Sequence, residues 1–204
     1  MVERVIAYID GFNLYFGLRD KGWKRLYWLD VALLAENLLK SGQRLEEVRY
    51  FTARISRPRN KQRRQNAFLE ATAELGKCTM HYGQYLDKQR ECPRCHFVHD
   101  VSEEKMTDVN IAVEMLADAQ QDKFDMALLI SADSDLTPPV VKIKKLFQSK
   151  RVVAAFPPAR NSQRLASAVD GQFTIGRGRL TQSLLPDTIR KSNGYIIRRP
   201  SSWN

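Results

Sequence analysis

The chain predicts an α/β fold: a central, mostly parallel sheet flanked by helices in three layers, with a small Cys/His loop insert. Three observations predict it. Short apolar runs alternate with segments of helical periodicity along most of the 204 residues, the pattern of a parallel-rich sheet. Two of those runs break off sharply in acids, Val5 to Ile9 at Asp10 and Leu128 to Ile130 before Asp133 and Asp135, as buried strands do when they carry polar groups to a sheet edge. The composition is globular, with 43% hydrophobic and 27% charged residues, enough apolar surface for one compact domain.

The elements follow in order. Residues 4–9 read as a buried strand, Gly11 as a tight turn, and Asn13 to Leu18 as a short helix. Asp30 is placed to cap a helix over 31–40, which Ser41-Gly42 ends. Val48 to Ile55 reads as a strand, and Pro58 opens a helix to Leu75, stopped by Gly76. Residues 78–86 are β-like and 88–102 read as a loop. A helix is expected over 104–120, with Val109, Ala112, Val113, Leu116 and Ala117 at helical spacing. A strand at 126–131, a helix from Pro138-Pro139 to 149 and a strand at 152–156 complete the alternation, before a helix at 161–168 and a last strand at 172–175. Phe147, Phe156 and Phe173 are assigned to the core. The expected organisation is one domain over 1–176, with an insert at 78–102 and a basic extension at 177–204.

The formal net charge of +10 is unevenly spread. Residues 151–204 hold nine Arg or Lys against two Asp, and Arg54, Arg57, Arg59, Lys61, Arg63 and Arg64 form a run with no acid. A basic surface attracts polyanions through phosphate neutralisation and counterion release. The run at 54–64 could track the phosphates of a single strand. Tyr15, Phe16, Trp23, Tyr27 and Trp28 lie among Arg19, Lys21, Lys24 and Arg25, a mixture suited to base stacking with phosphate contact; Phe16 and Trp28 read more readily as core. No run reaches the roughly 18 apolar residues of a membrane span. The N-terminus lacks a signal-peptide pattern, and three cysteines make no secreted disulfide framework. A cytoplasmic location is expected, with no membrane partner.

The acids suggest one site for hard cations such as Mg²⁺ or Mn²⁺. Glu103 and Glu104, expected in a first helical turn, could point further carboxylates at the same site, although acids there also simply complement the helix dipole. Asp108 is different, because it borders the apolar face of its helix, where a charge needs a partner.

Tyr8-Ile-Asp10-Gly-Phe-Asn13, Glu104-Lys105-Met-Thr-Asp108-Val-Asn-Ile-Ala and Ser131-Ala-Asp133-Ser-Asp135-Leu together resemble the NYN family of PIN-like nucleases, in its bacterial LabA-like branch with a Cys-x-x-Cys insert. The ending Leu185-Pro186-Asp187 to Arg199-Pro200-Ser-Ser-Trp203 is similar to the tail of one subgroup. The resemblance implies a PIN-like, Rossmann-like fold and metal-dependent endonucleolytic hydrolysis of RNA, leaving a 5′-phosphate and a 3′-hydroxyl. By position, Asp10, Asp108, Asp133 and Asp135 would be the Mg²⁺ or Mn²⁺ carboxylates. Asn13 and Ser131 would orient a carboxylate, the attacking water or a phosphate, and Lys105 would neutralise phosphate charge. RNA, single-stranded or structured, is the expected partner, with DNA open as an alternative and a homodimer as a candidate assembly.

Every Cys and His falls between Cys78 and His99. Cys92-Pro-Arg-Cys95 has the spacing of a zinc knuckle. One candidate tetrahedral set for a structural Zn²⁺ is Cys78, Cys92 and Cys95 with His96 or His99; a second exchanges His81 for one of these. Cys78 is also readable as a buried small hydrophobe.

Three other functions stay open: a non-catalytic RNA-binding regulator of the same fold, a small-molecule phosphatase, and a pyridine-derivative hydroxylase, an activity described for some members of the resembled subgroup. The last would need a nicotinamide or flavin site, and no G-x-G-x-x-G follows a strand.

Overall fold

A computed structural model describes residues 2–204, and their side chains except those of Asp87 and residues 99–102. In chain order the elements are β1 (Glu3–Asp10), α1 (Gly11–Asp20), α2 (Val31–Leu38), β2 (Gln43–Thr52), α3 (Arg59–Glu74), β3 (Thr79–Tyr82), β4 (Gln84–Glu91), β5 (Val98–Lys105), α4 (Thr107–Gln120), β6 (Met126–Ile130), α5 (Thr137–Leu146), β7 (Arg151–Phe156), α6 (Gln163–Ala166), β8 (Gly171–Thr174), α7 (Arg177–Gln182), β9 (Thr188–Arg190) and β10 (Ile196–Arg198). Six strands form a parallel sheet in the order β3-β2-β1-β6-β7-β8.

The strand sequences explain the three layers. Alternate residues of a strand face opposite sides, and both faces of β1 are apolar. Val5, Ala7 and Ile9 enter a core with Leu14, Leu34, Trp28 and Leu69. Ile6 and Tyr8 enter another with Ile111, Met115, Val140 and Ile143. A strand covered on both sides reads as an unbroken apolar run. From the centre the chain winds outward in both directions, so β1 and β6 flank the topological switch point, with Ile9 beside Ile130. Ligands of such sheets bind beyond the carboxyl ends of the strands at that point.

Four expectations need correction. Residues 88–102, read as a loop, belong largely to an antiparallel β4–β5 ribbon in register from Gln84↔Lys105 to Glu91↔Val98. This ribbon is separate from the main sheet, and none of its described side chains is fully buried, so it leaves no apolar period to read. The insert also starts later than 78, because β3 pairs with β2 inside the main sheet. The helix expected from 104 begins at Thr107, after Met106 in the left-handed region at φ 77°; Glu103 to Lys105 are held in the ribbon. Phe173, assigned to the core, is 36% exposed on the edge strand β8.

The segment 177–204 adds to the first core. Leu180, Leu185, Ile189, Ile197 and Trp203 pack with Trp28 and Leu29, and the Trp28 indole donates to the Pro186 carbonyl at 2.8 Å. Burying each large apolar side chain contributes about 1.5–3 kcal/mol, so this segment is part of the domain's stability. Among the described residues no helix is long and apolar enough to cross a membrane.

Candidate active site

Asp10 ends β1 and caps α1. One carboxylate oxygen accepts from the Asn13 backbone N–H at 2.9 Å and the other from the Ser131 hydroxyl at 2.9 Å. Gly11 is required by close approach: a Cβ there would stand 2.5 Å from the Tyr50 ring and 2.8 Å from the Phe51 carbonyl oxygen. Ser131 follows β6, and its Oγ also accepts from the Asp133 N–H at 3.0 Å, while Asp133 accepts from the Asp135 N–H at 2.9 Å. The Asn13 side chain accepts from the Ala132 N–H at 3.1 Å. These bonds tie the ends of β1 and β6 into one unit. Asn13 and Ser131 thus act on the backbone and on Asp10, the positioning that their residue types suit.

Asp108 comes to the same place from the first turn of α4. Its carboxyl is pushed up to about 7, first by burial and then by Asp10, Asp133, Glu104 and Asp135. Burial likewise raises Asp10 to about 6; its two hydrogen bonds oppose this, while Asp133 and Glu104 add to it. The four expected aspartates are therefore electrostatic neighbours. Glu104 joins them, with its carboxylate capping the Thr107 N–H at 2.9 Å. On a strand, Glu104 faces the opposite side from Glu103 and Lys105. Lys105 pairs with Glu103 at 3.2 Å, on the ribbon face opposite to Glu104.

A divalent cation fits this donor set. Crowded carboxylates oppose one another's ionisation, and hard oxygen ligands suit Mg²⁺ or Mn²⁺. Among the described residues no group of three or more His, Cys, Asp or Glu is arranged to hold a metal ion.

Asp108 sets a pH dependence. Its folded-state value of about 7 lies above the ordinary carboxylate value near 4. The folded chain therefore holds that proton more tightly, and metal-free stability falls as pH rises from about 4 to 7. The group is only partly buried, so solvent screening reduces the effect to about 1–2 kcal/mol. Urea unfolding in EDTA is expected to show Asp108→Asn gaining on wild type by that amount between pH 5 and 8. Parallel pH profiles for the two proteins would rule this out.

The remaining expected residues divide. At the tip of the β4–β5 ribbon the Arg94 and Cys95 N–H groups and the Cys95 thiol hydrogen-bond the Cys92 sulfur and lower its pKa, the arrangement that a thiolate metal ligand needs. His96 is paired with Glu91 through Nδ1, and the side chain of His99 lies outside the described residues. Cys78 is not with them. It packs against the first core, where burial pushes its thiol up to about 12. His81 stacks on Phe51 with ring centroids 4.7 Å apart, and neither residue joins the knuckle.

Of the six cations in the run at 54–64, Arg57, Lys61 and Arg64 line a pocket of ≈310 Å³ that begins at Gly11 and Phe12. Arg54 instead lies over the Tyr82 ring at 4.8 Å, and Arg59 and Arg63 are exposed away from the pocket lining. Trp28 is core, whereas Phe16 lines the pocket.

Beneath the second core lies a buried ion-pair network that the sequence reading missed. Asp118 is 1% exposed. It accepts from the Tyr8 hydroxyl at 2.7 Å and from Arg49 Nη2 at 2.9 Å. Arg49 Nε is also 2.9 Å from Asp118, but outside hydrogen-bonding geometry. The signal was present: Asp118 continues the buried stripe Ile111, Met115 of α4.

Comparison with known proteins agrees with this architecture. The chain is 28% identical to the 6-hydroxy-3-succinoylpyridine 3-monooxygenase HspA of Pseudomonas putida (strain DSM 28022 / S16), over 98% of this chain and 75% of that protein. Its fold is similar to that of a protein of unknown function from Vibrio parahaemolyticus, with a TM-score of 0.59 at 18% identity, covering 90% of this chain and 96% of the other. The NYN domain model matches residues 4–181, a span that contains all three acidic segments and the sheet that joins them. The chain belongs to the NYN domain family, a nuclease-type family within the PIN-like superfamily.

Proposed function

We propose that this protein is a metal-dependent endoribonuclease. The observation that carries the reading is the convergence of Asp10, Asp108, Asp133, Asp135 and Glu104 at the carboxyl ends of β1 and β6, where burial first, and then the neighbouring carboxylates, hold Asp108 up to about 7. Asp10, Asp108, Asp133 and Asp135 would hold Mg²⁺ or Mn²⁺, which supplies Lewis acidity and neutralises charge at the phosphate. The chain's own groups do the positioning. Ser131 fixes the orientation of Asp10, Asn13 holds the loop that carries Asp133, and Asp133 braces the backbone at Asp135. In the reaction a water oxygen bonds to phosphorus and the bond to the 3′-oxygen breaks. The proton released by water ends on that oxygen, leaving a 5′-phosphate and a 3′-hydroxyl.

The test is cleavage of an end-labelled mixed-sequence RNA with Mn²⁺ or with EDTA, by wild type and Asp133→Asn. Mn²⁺-dependent cleavage lost in the variant is expected. Equal RNA binding by both without cleavage would establish a non-catalytic binder instead. The same assay on DNA separates the two nucleic acids.

A second reading, hydroxylation of a small pyridine-type ring, is favoured by the name of the Pseudomonas putida relative and by an aromatic-lined pocket beside Asp10. It requires O₂ and a reductant. Substrate-dependent NADH oxidation with no RNA cleavage would select it.

The knuckle at Cys92 and Cys95 is a candidate structural Zn²⁺ site, with His96 and His99 as candidates to complete it. Metal analysis of freshly purified, reduced protein is expected to find one Zn²⁺ per chain in wild type and none in Cys92→Ser. Zinc-free wild type would remove this site.

A further inference from the structure

The pocket beside Asp10 joins segments that are far apart in the sequence, and its lining has two chemistries. One wall is aromatic. Phe12 stacks between Phe16 and Tyr85, with centroids at 6.1 and 6.2 Å and interplanar angles of 29° and 17°. The lining is also cationic: Lys61 and Arg64, three residues apart on α3, share one helical face, and Arg57, just ahead of the helix, and Arg19 join them. Among the described residues no Asp or Glu lines this space. Both chemistries are connected directly to the acidic cluster. Gly11 and Phe12 follow Asp10 in the chain, and Tyr85 is the cross-strand partner of Glu104.

We propose that this pocket receives one unpaired base of an RNA strand, with the adjoining phosphates held along Arg57, Lys61 and Arg64. The proposal rests on the nuclease reading and names its substrate: single-stranded RNA, or a loop, with a nucleotide free to leave the stack next to the scissile phosphate. The Arg19 guanidinium lies over the Phe16 ring at 4.5 Å; a flat ring that takes its place gains stacking that any base can supply, while the phosphates meet the cations. At ≈310 Å³ the space is at the lower end of the about 300–1,000 Å³ common for ligand sites, which suits one nucleotide and excludes a base pair. In a duplex that base would first have to be unpaired and unstacked, so paired RNA is disfavoured.

The test measures binding without cleavage. A fluorescent mixed-sequence RNA 12-mer and a counterpart of the same length abasic at every position are titrated by anisotropy in EDTA. The intact strand is then repeated as a duplex. Loss of the bases is expected to weaken wild-type binding by about tenfold, the value of one stacked base. In Phe16→Ala the intact strand should bind about tenfold more weakly, and removing the bases should then cost nothing further. Phe16→Trp should restore binding, and Lys61→Ala should weaken it where Arg63→Ala, outside the pocket lining, does not. The duplex should bind more weakly than the single strand. Equal wild-type binding of the intact and abasic strands overturns the proposal without relying on any variant's folding. If wild type still cleaves RNA with Mn²⁺, that result leaves the nuclease reading standing; no binding and no cleavage overturns both.

Discussion

Asp10→Asn is expected to lower RNA cleavage by about a thousandfold or more, equivalent to ~4 kcal/mol of transition-state stabilisation. Two losses combine. The carboxylate now accepts from both the Asn13 N–H and the Ser131 hydroxyl. An amide has one good acceptor, so one of these bonds must give way to an NH₂ group facing a donor or a hydroxyl that must reorient. The cluster also loses a negative charge at its most enclosed position, 4% exposed, where an opposing cation would be screened least. The fold should not suffer, because burial already disfavours the ionised form of Asp10. Initial rates on labelled RNA at saturating Mn²⁺, with thermal melts of both proteins, check the prediction. Cleavage within tenfold of wild type would remove Asp10 from the catalytic centre, and lost activity together with a collapsed melting transition would assign it a structural role.

Asp118→Ala is expected to cost about 3–5 kcal/mol of folding stability, the usual result of removing one partner from a buried ion pair. Asp118 faces Tyr8 and Arg49, and Lys123 reaches it at 3.1 Å. Without it Arg49, only 7% exposed, keeps Glu47 and Glu114 at the margin of the core but loses its innermost acceptor. The Tyr8 hydroxyl, on a fully buried side chain, is left with no partner. Asp118→Asn keeps one acceptor and should lose less. Urea unfolding at neutral pH measures both, and a loss below about 1 kcal/mol for Asp118→Ala would mean that the pair is relieved by water entry. Because this network couples β1, β2 and α4, weakening it should also loosen the approach of Asp108 to Asp10.

Much of the fold was legible because its main sheet is buried on both faces. Val5 to Ile9 and Leu128 to Ile130 are apolar without alternation, and only central parallel strands combine that pattern with abrupt acidic ends. The acids were legible for a related reason, since a carboxylate at the edge of an apolar run has few structural explanations. Local sequence also marked the Asp30 cap, which accepts from the Ala32 and Leu33 N–H groups.

Other features depended on long-range contact. The closeness of Asp10 and Asp133 follows from the pairing of β1 with β6, residues more than a hundred positions apart, and nothing local encodes that pairing. Glu104 joined the site because its segment is a strand, whose alternation separates it from Glu103 and Lys105. Cys78 shares a sequence window with Cys92 and Cys95 but belongs to a different layer. The pocket draws on α1, residues 27–31, β2, the start of α3, the ribbon and Trp203, segments with no common pattern. Periodicity along a chain reports which face of an element is buried. Which element buries it is decided by the sum of contacts across the sheet, and therefore by the tertiary structure alone.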